Sequence, residues 1–132
     1  MKISDFAKDS PREGELNVDS IRFIVSHFLK KQDKLNTKIT SYGLKHVIEN
    51  FCAVLYQREE CHTRNSQIIE ALKRERFTGE RSRDNSANYF FNISSQSLFD
   101  LKLVEDKLLK NYDNFIKELD SEFSEDNVRK MA

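Results

Sequence analysis

Four residues able to bind a metal or act as nucleophiles, His46, Cys52, Cys61 and His62, fall within 17 positions. Thiolates and imidazoles are the ordinary ligands of zinc. Structural zinc sites, however, present them in close pairs such as C-x2-C, and no such pair is present. Cys52 follows Phe51 beside an apolar stripe, the place of a small core residue. Cys61 and His62 fall in a polar connector. The expectation is neither metal nor cofactor. Nucleophilic catalysis has no better footing. There is no G-x-S-x-G, no S-x-x-K and no phosphate-cradling glycine-rich loop. His27 lies between Val25 and Phe28 as a boundary residue. Glu49, Glu59 and Glu60 show no spacing that demands acid–base work. The chain is read as a non-enzyme.

The cations form a more informative pattern. Arg64, Gln67, Lys73, Arg74 and Arg76 fall on or beside one candidate helix, and Arg81 and Arg83 lie in the polar loop that follows. Arginine can address guanine edges or phosphate, and glutamine can address adenine. Lys30 and Lys31, with Lys34 and Lys38, could add backbone contacts. Glu70, Glu75 and Glu80 are interleaved with these bases, which is also how a solvated face looks.

These side chains need elements to hold them. Residues 1–16 read as an arm with one short turn at Ser10-Pro11-Arg12-Glu13. Apolar residues at helical spacing predict a helix over about 18–31, capped by Asn17. Residues 38–40 could form one short strand. A second helix follows from 41 or 42, capped by Thr40 or Ser41, with a stripe of Leu44, Val47, Ile48, Phe51 and Leu55. A third spans about 66–76, capped by Asn65 or Thr63. Tyr89-Phe90-Phe91-Asn92-Ile93 reads as a strand paired with residues 76–78. Ser97-Leu98-Phe99-Asp100 fits a capping box. It opens a long amphipathic helix to about residue 123, with a possible break near 111–114. Residues 124–132 read as a tail.

The expected fold is mainly α: a winged-helix-like three-helix core with a small β-hairpin and a long C-terminal amphipathic helix. Residues 17–123 form its single domain. The 66–76 helix would be the recognition element and the basic loop the wing. The last helix carries an acidic side, including Asp106, Asp113, Glu118, Asp120 and Glu122. That side could dock on a basic nucleic-acid-handling protein, or the helix could pair with a second copy in a homodimer.

The 132 residues carry 22 basic and 22 acidic side chains. Residues 1–20 have a net charge of −2, 21–57 of +4, 58–94 of +1 and 95–132 of −3. A basic middle between acidic ends argues against indiscriminate polyanion binding and permits local contact with phosphate. No apolar run reaches the ~18 residues of a membrane span. The sequence Met1-Lys2-Ile3-Ser4-Asp5-Phe6 lacks a signal-peptide core, so the expected location is cytoplasmic, with no membrane partner.

Three blocks carry a resemblance: Ser41-Tyr42-Gly43-Leu44-Lys45-His46, Asn65-Ser66-Gln67-Ile68-Ile69 and Asn88-Tyr89-Phe90-Phe91-Asn92-Ile93-Ser94. Over about 41–94 the chain resembles small uncharacterised proteins of bacterial conjugative and prophage-like mobile elements. Their pattern is S-Y-G-L-K-H, then S-N-G-x-F-I before a helix ending in Gly-Phe, then N-x-x-F-N-I-S. Arg64, Ser66 and Ile68 replace the Ser, Gly and Phe of the second block. Arg76-Phe77 stands in place of Gly-Phe, and the link between the first two blocks is longer. The resemblance implies a mobile-DNA context and two kinds of function. One is an accessory or regulatory protein acting on nucleic acid or a nucleic-acid-handling complex. The other is an anti-defence inhibitor, such as an anti-CRISPR protein, that binds a host nuclease.

Overall fold

The computed structural model describes residues 1–123. It is mainly helical, with one small antiparallel sheet. Its elements are α1 (Ile3–Lys8), a 3-10 turn (Arg12–Gly14), α2 (Val18–Phe28), β1 (Lys31–Asn36), α3 (Ser41–Leu55), α4 (Asn65–Arg74), β2 (Gly79–Arg81), β3 (Tyr89–Ile93), α5 (Ser95–Lys110) and α6 (Tyr112–Glu122).

Short polar side chains set three of the helix starts, because first-turn amides lack an acceptor within the helix. Asn17 accepts from the Ser20 amide at 2.8 Å, Thr40 from Gly43 at 3.2 Å and Ser94 from Ser97 at 3.2 Å. The first two follow the sequence reading. The third moves the start of α5 three residues earlier than expected. Ser97 is then free to tie α5 to the sheet: it accepts from the Lys30 amide and donates to the Ser94 carbonyl.

Two helices end in the same way. After α4, the Arg76 amide bonds Lys73 O and the Phe77 amide bonds Leu72 O. After α3, Gln57 bonds Val54 O and Arg58 bonds Ala53 O. This Schellman arrangement needs a left-handed residue at its turn. Gln57 and Arg76 fill it with φ of 55° and 65°.

One apolar core joins the elements. Ile21, Ile24 and Val25 of α2 meet Ile68, Ala71 and Leu72 of α4, while Leu44, Ile48, Phe51 and Leu55 face inward from α3. α5 packs on α3 through Leu101 and Leu108. Residues 1–16 are more than an arm: Ile3, Phe6, Ala7 and Leu16 are core residues, and α1 packs on α6. Gly14, at φ +73, bonds through its carbonyl to the His62 amide. A Cβ there would lie 2.6 Å from the Glu60 carbonyl oxygen, so the close backbone approach itself requires glycine.

The sheet order is β1-β3-β2. β1 lies at 31–36 rather than 38–40. It advances five residues from Lys31, opposite Ile93, to Asn36, opposite Phe91, while β3 advances two. The surplus interrupts the register of the pair. The buried Asn36 side chain pins the far end by donating to Ile93 O at 3.0 Å and Ser95 Oγ at 3.1 Å. β2 begins later than residues 76–78, although Thr78 still accepts from the Asn92 amide. The expected long last helix is two helices, divided at Asn111, which has extended φ and ψ of −155° and 79°. The 124–132 tail lies outside the described residues. No helix among the described residues is long and apolar enough to cross a membrane.

Candidate nucleic-acid interface

The site grows from the junction of α4 with the β2–β3 loop. Gln67 fixes the start of α4: its side-chain oxygen accepts from the Arg64 amide at 3.0 Å and the Thr63 hydroxyl at 2.8 Å. Gln67 is therefore first a capping residue, and its carbonyl is not open to a base. Arg64, rather than Asn65 or Thr63, occupies the N-cap position. Asn65 instead clasps the loop, donating to Ala87 O at 3.0 Å and Asn88 Oδ1 at 3.1 Å. The loop closes on itself through the Ser82 amide to Asn88 O and Arg81 Nη1 to Ser86 O.

Tyr89 is the centre of this end of the sheet. Lys73 Nζ lies 4.6 Å from its ring centroid and 3.5 Å from its hydroxyl, and the Arg81 guanidinium lies 5.9 Å from the centroid. The Lys73 hydrogen bond, helped by that ammonium's charge and by Arg81, holds the phenol below its ordinary pKa. The Tyr89 amide donates to Ser41 Oγ at 3.0 Å, which seats the first turn of α3 beside β3. Tyr42 in that turn is exposed, with the His46 ring edge-on to it and Lys45 Nζ 5.2 Å from its centroid. Neither tyrosine is among the sequence candidates. Tyr42 lies off the apolar stripe of its helix, a signal that could have found it.

The expected cations separate into groups. Lys73 and Arg81 converge on Tyr89, Arg83 lies in the loop, and Arg64 begins α4 beside a hollow shared with Glu15, Leu16 and His62; all four are exposed. Arg74 is exposed but paired with Glu70 at 2.7 Å. Lys30, Lys31 and Arg76 lie at the other end of the sheet. Lys31 pairs with Ile93 and lies over the Phe77 ring at 4.9 Å, separated from Tyr89 by the length of β3, roughly 14 Å. The interleaved acids are partly accounted for: Glu75 pairs with Arg22 at 3.3 Å.

The acidic set is also divided. Asp113, Glu118 and Glu122 are exposed. Asp106 lies 4.0 Å from Lys102, and Asp120 is bonded to the Ser4 amide. The cysteines are both buried, and burial pushes the Cys52 and Cys61 thiols up. Among the described residues, no three His, Cys, Asp or Glu side chains are grouped to hold a metal ion. His27 is stacked on Phe23 at 4.0 Å, with Nδ1 2.8 Å from the Phe23 carbonyl oxygen. That is a packed boundary position.

No protein-family model, curated protein or solved structure matches the chain.

Proposed function

We propose that this chain is a non-enzymatic nucleic-acid-binding protein that grips duplex DNA in the manner of a winged helix. The element order α2-β1-α3-α4-β2-β3 with sheet order β1-β3-β2 supports the winged-helix reading. In it α4 is the recognition helix and residues 82–88 form the wing. One observation carries the binding role. Asn65 ties the loop to the start of α4, Lys73 of α4 and Arg81 of β2 converge on Tyr89, and Tyr89 is bonded to the first turn of α3, so two cations from different elements meet beside that turn.

The chemistry on that surface is graded. Arg81 and Arg83 are placed for phosphate or minor-groove contact, and Lys73 and Arg64 for the flanks of the major groove. Glu80 and Asp84 in the same segment keep the local charge low. Binding then depends on fit as well as on charge, and whole-surface adhesion to polyanions is not expected. The mobile-element setting, and an accessory or regulatory role within it, rest on the sequence resemblance alone. The competing reading, an acidic inhibitor of a defence nuclease, has less to draw on, since Asp120 and Asp106 are engaged within the molecule.

The test is duplex binding by fluorescence anisotropy across a salt series. The logarithm of affinity should fall linearly with the logarithm of salt. Arg81→Ala with Arg83→Ala should flatten the slope by about 0.9 for each phosphate no longer neutralised. Absence of binding at ~50 mM salt, or binding unmoved by the double variant, would refute the proposal.

A further inference from the structure

We propose that Asn65 is the positioning residue of the wing, holding residues 82–88, and Arg83 among them, against the start of α4. The clasp itself is read from hydrogen bonds. Its purpose, placing Arg83 for a phosphate, rests on the duplex reading above.

The loop organises itself around Ser86. The Ser86 hydroxyl accepts from the Asn88 amide at 3.0 Å and from the Ser82 hydroxyl at 3.1 Å. Its carbonyl oxygen accepts from Arg81 Nη1 at 3.1 Å, and its amide closes a turn on the Arg83 carbonyl at 3.1 Å. Asn85 inside that turn has φ 61°. All of these bonds lie within the hairpin. They give the loop a shape and leave its angle to α4 open. Among the described residues, the two hydrogen bonds that join residues 82–88 to a helix both come from Asn65.

Those two bonds come at a cost. The Asn65 amide nitrogen donates to Ala87 O and to Asn88 Oδ1. A backbone carbonyl can only accept, so the Ala87 oxygen prevents the amide from turning over. Asn65 Oδ1 is then buried without a hydrogen-bond partner, the one such side-chain atom among the described residues. An unpaired buried acceptor destabilises a fold. Asn65 is also the first residue of α4, where alanine would remove that atom and favour the helix. Stability alone gives little reason for asparagine here. Orienting the loop gives one, and a local rule broken at a cost is the mark of a working position.

The cations divide accordingly. Arg81 belongs to β2, in register with Tyr89, so the sheet holds it whatever the loop does. Arg83 lies in the turn, exposed and without an ion pair among the described residues. Its place relative to α4 depends on the clasp.

Hydrogen exchange and duplex anisotropy on the full chain test this together. In Asn65→Ala the Ser82, Ser86 and Asn88 amides should exchange about tenfold faster, while α2, α3 and α4 keep their protection. The melting temperature should not fall. Duplex binding should weaken about tenfold, and the salt slope should drop by about 0.9, the share of one phosphate. Asn88→Ala removes one of the two side-chain acceptors and should act in the same direction. Arg83→Ala should weaken binding in the wild type and add little to Asn65→Ala, because the two residues act as a unit. Unchanged loop exchange overturns the clasp. A loosened loop with unchanged affinity and salt slope overturns the positioning role, and so does a full effect of Arg83→Ala in the Asn65→Ala background. A melting temperature that falls in step with affinity makes Asn65 structural only. A wild type that binds no duplex is a different result: it sinks the binding role and takes the purpose of the clasp with it.

Discussion

The carboxylate of Asp120 accepts a hydrogen bond from the backbone amide of Ser4 at 2.9 Å, across 116 positions of sequence. Ser4 lies in the first turn of α1, where amides have no partner inside the helix. Lys2, the residue at the N-cap, makes no side-chain capping bond. The cap is therefore supplied by α6, and its negative charge also suits that end of the helix dipole. Asp120→Ala should lower the unfolding free energy by about 1 kcal/mol in urea denaturation. Glu118→Ala, on the exposed side of the same helix, should stay within about 0.5 kcal/mol. Equal effects would show that the bond contributes nothing to stability.

Arg76 holds φ 65° at the Schellman turn after α4, a conformation that favours glycine. Arg76→Gly should raise stability by about 0.5–1 kcal/mol, because relief of the left-handed strain exceeds the added freedom of the unfolded chain. Arg76→Ala keeps a Cβ and should bring no such gain. Parallel thermal melts decide the matter. A gain from alanine as large as that from glycine would place the effect in the removed charge rather than in the backbone.

Burial pushes the Cys52 thiol well above its usual range, and the nearby Cys61 and Glu49 add to the shift. An unfolded thiol loses its proton near pH ~8.5, while the folded one retains it. The folded state then binds more protons, so stability falls as pH rises past the ordinary thiol value. The fall continues until the raised folded value is passed. Between about pH 8 and 9.5 the decline should approach ~1.4 kcal/mol per pH unit for this group. Cys52→Ala should flatten it. Urea midpoints across that range provide the measurement, and a profile unchanged by the substitution would assign the decline to other groups.

Much of the helical frame is legible in the sequence because its causes are local. The stripes of α2, α3 and α4 recur at helical spacing, and Asn17 and Thr40 are ordinary caps. Asn111 lies where the apolar pattern of the last segment weakens. The misplaced parts are those held by distant contacts. The six residues of α1 are too few to show a period, and α6 and the core define them. β1 reads Lys31-Gln32-Asp33-Lys34-Leu35-Asn36, with no β-branched residue, and exists as a strand because β3 and the Asn36 side chain hold it. The same division runs through the site. That α4 and the loop before β3 are neighbours follows from element order. That Gln67 closes a helix, that Glu70 holds Arg74 and that Tyr89 gathers Lys73 and Arg81 depend on distances no spacing reveals.

The docking of α1 on α6 also sets an order of events during synthesis. α1 is made long before α6, which packs on it, although Phe6 also stacks on Phe23 at 4.0 Å and lies against Tyr56 at 5.3 Å. Until α6 has emerged, the nascent chain presents a short apolar segment covered only in part, and the contact that completes its cover is among the most distant in the sequence. Non-local contacts form late and slow folding. Chains interrupted before residue 112 would carry this segment without its α6 cover, which marks them as substrates for chaperones and proteases.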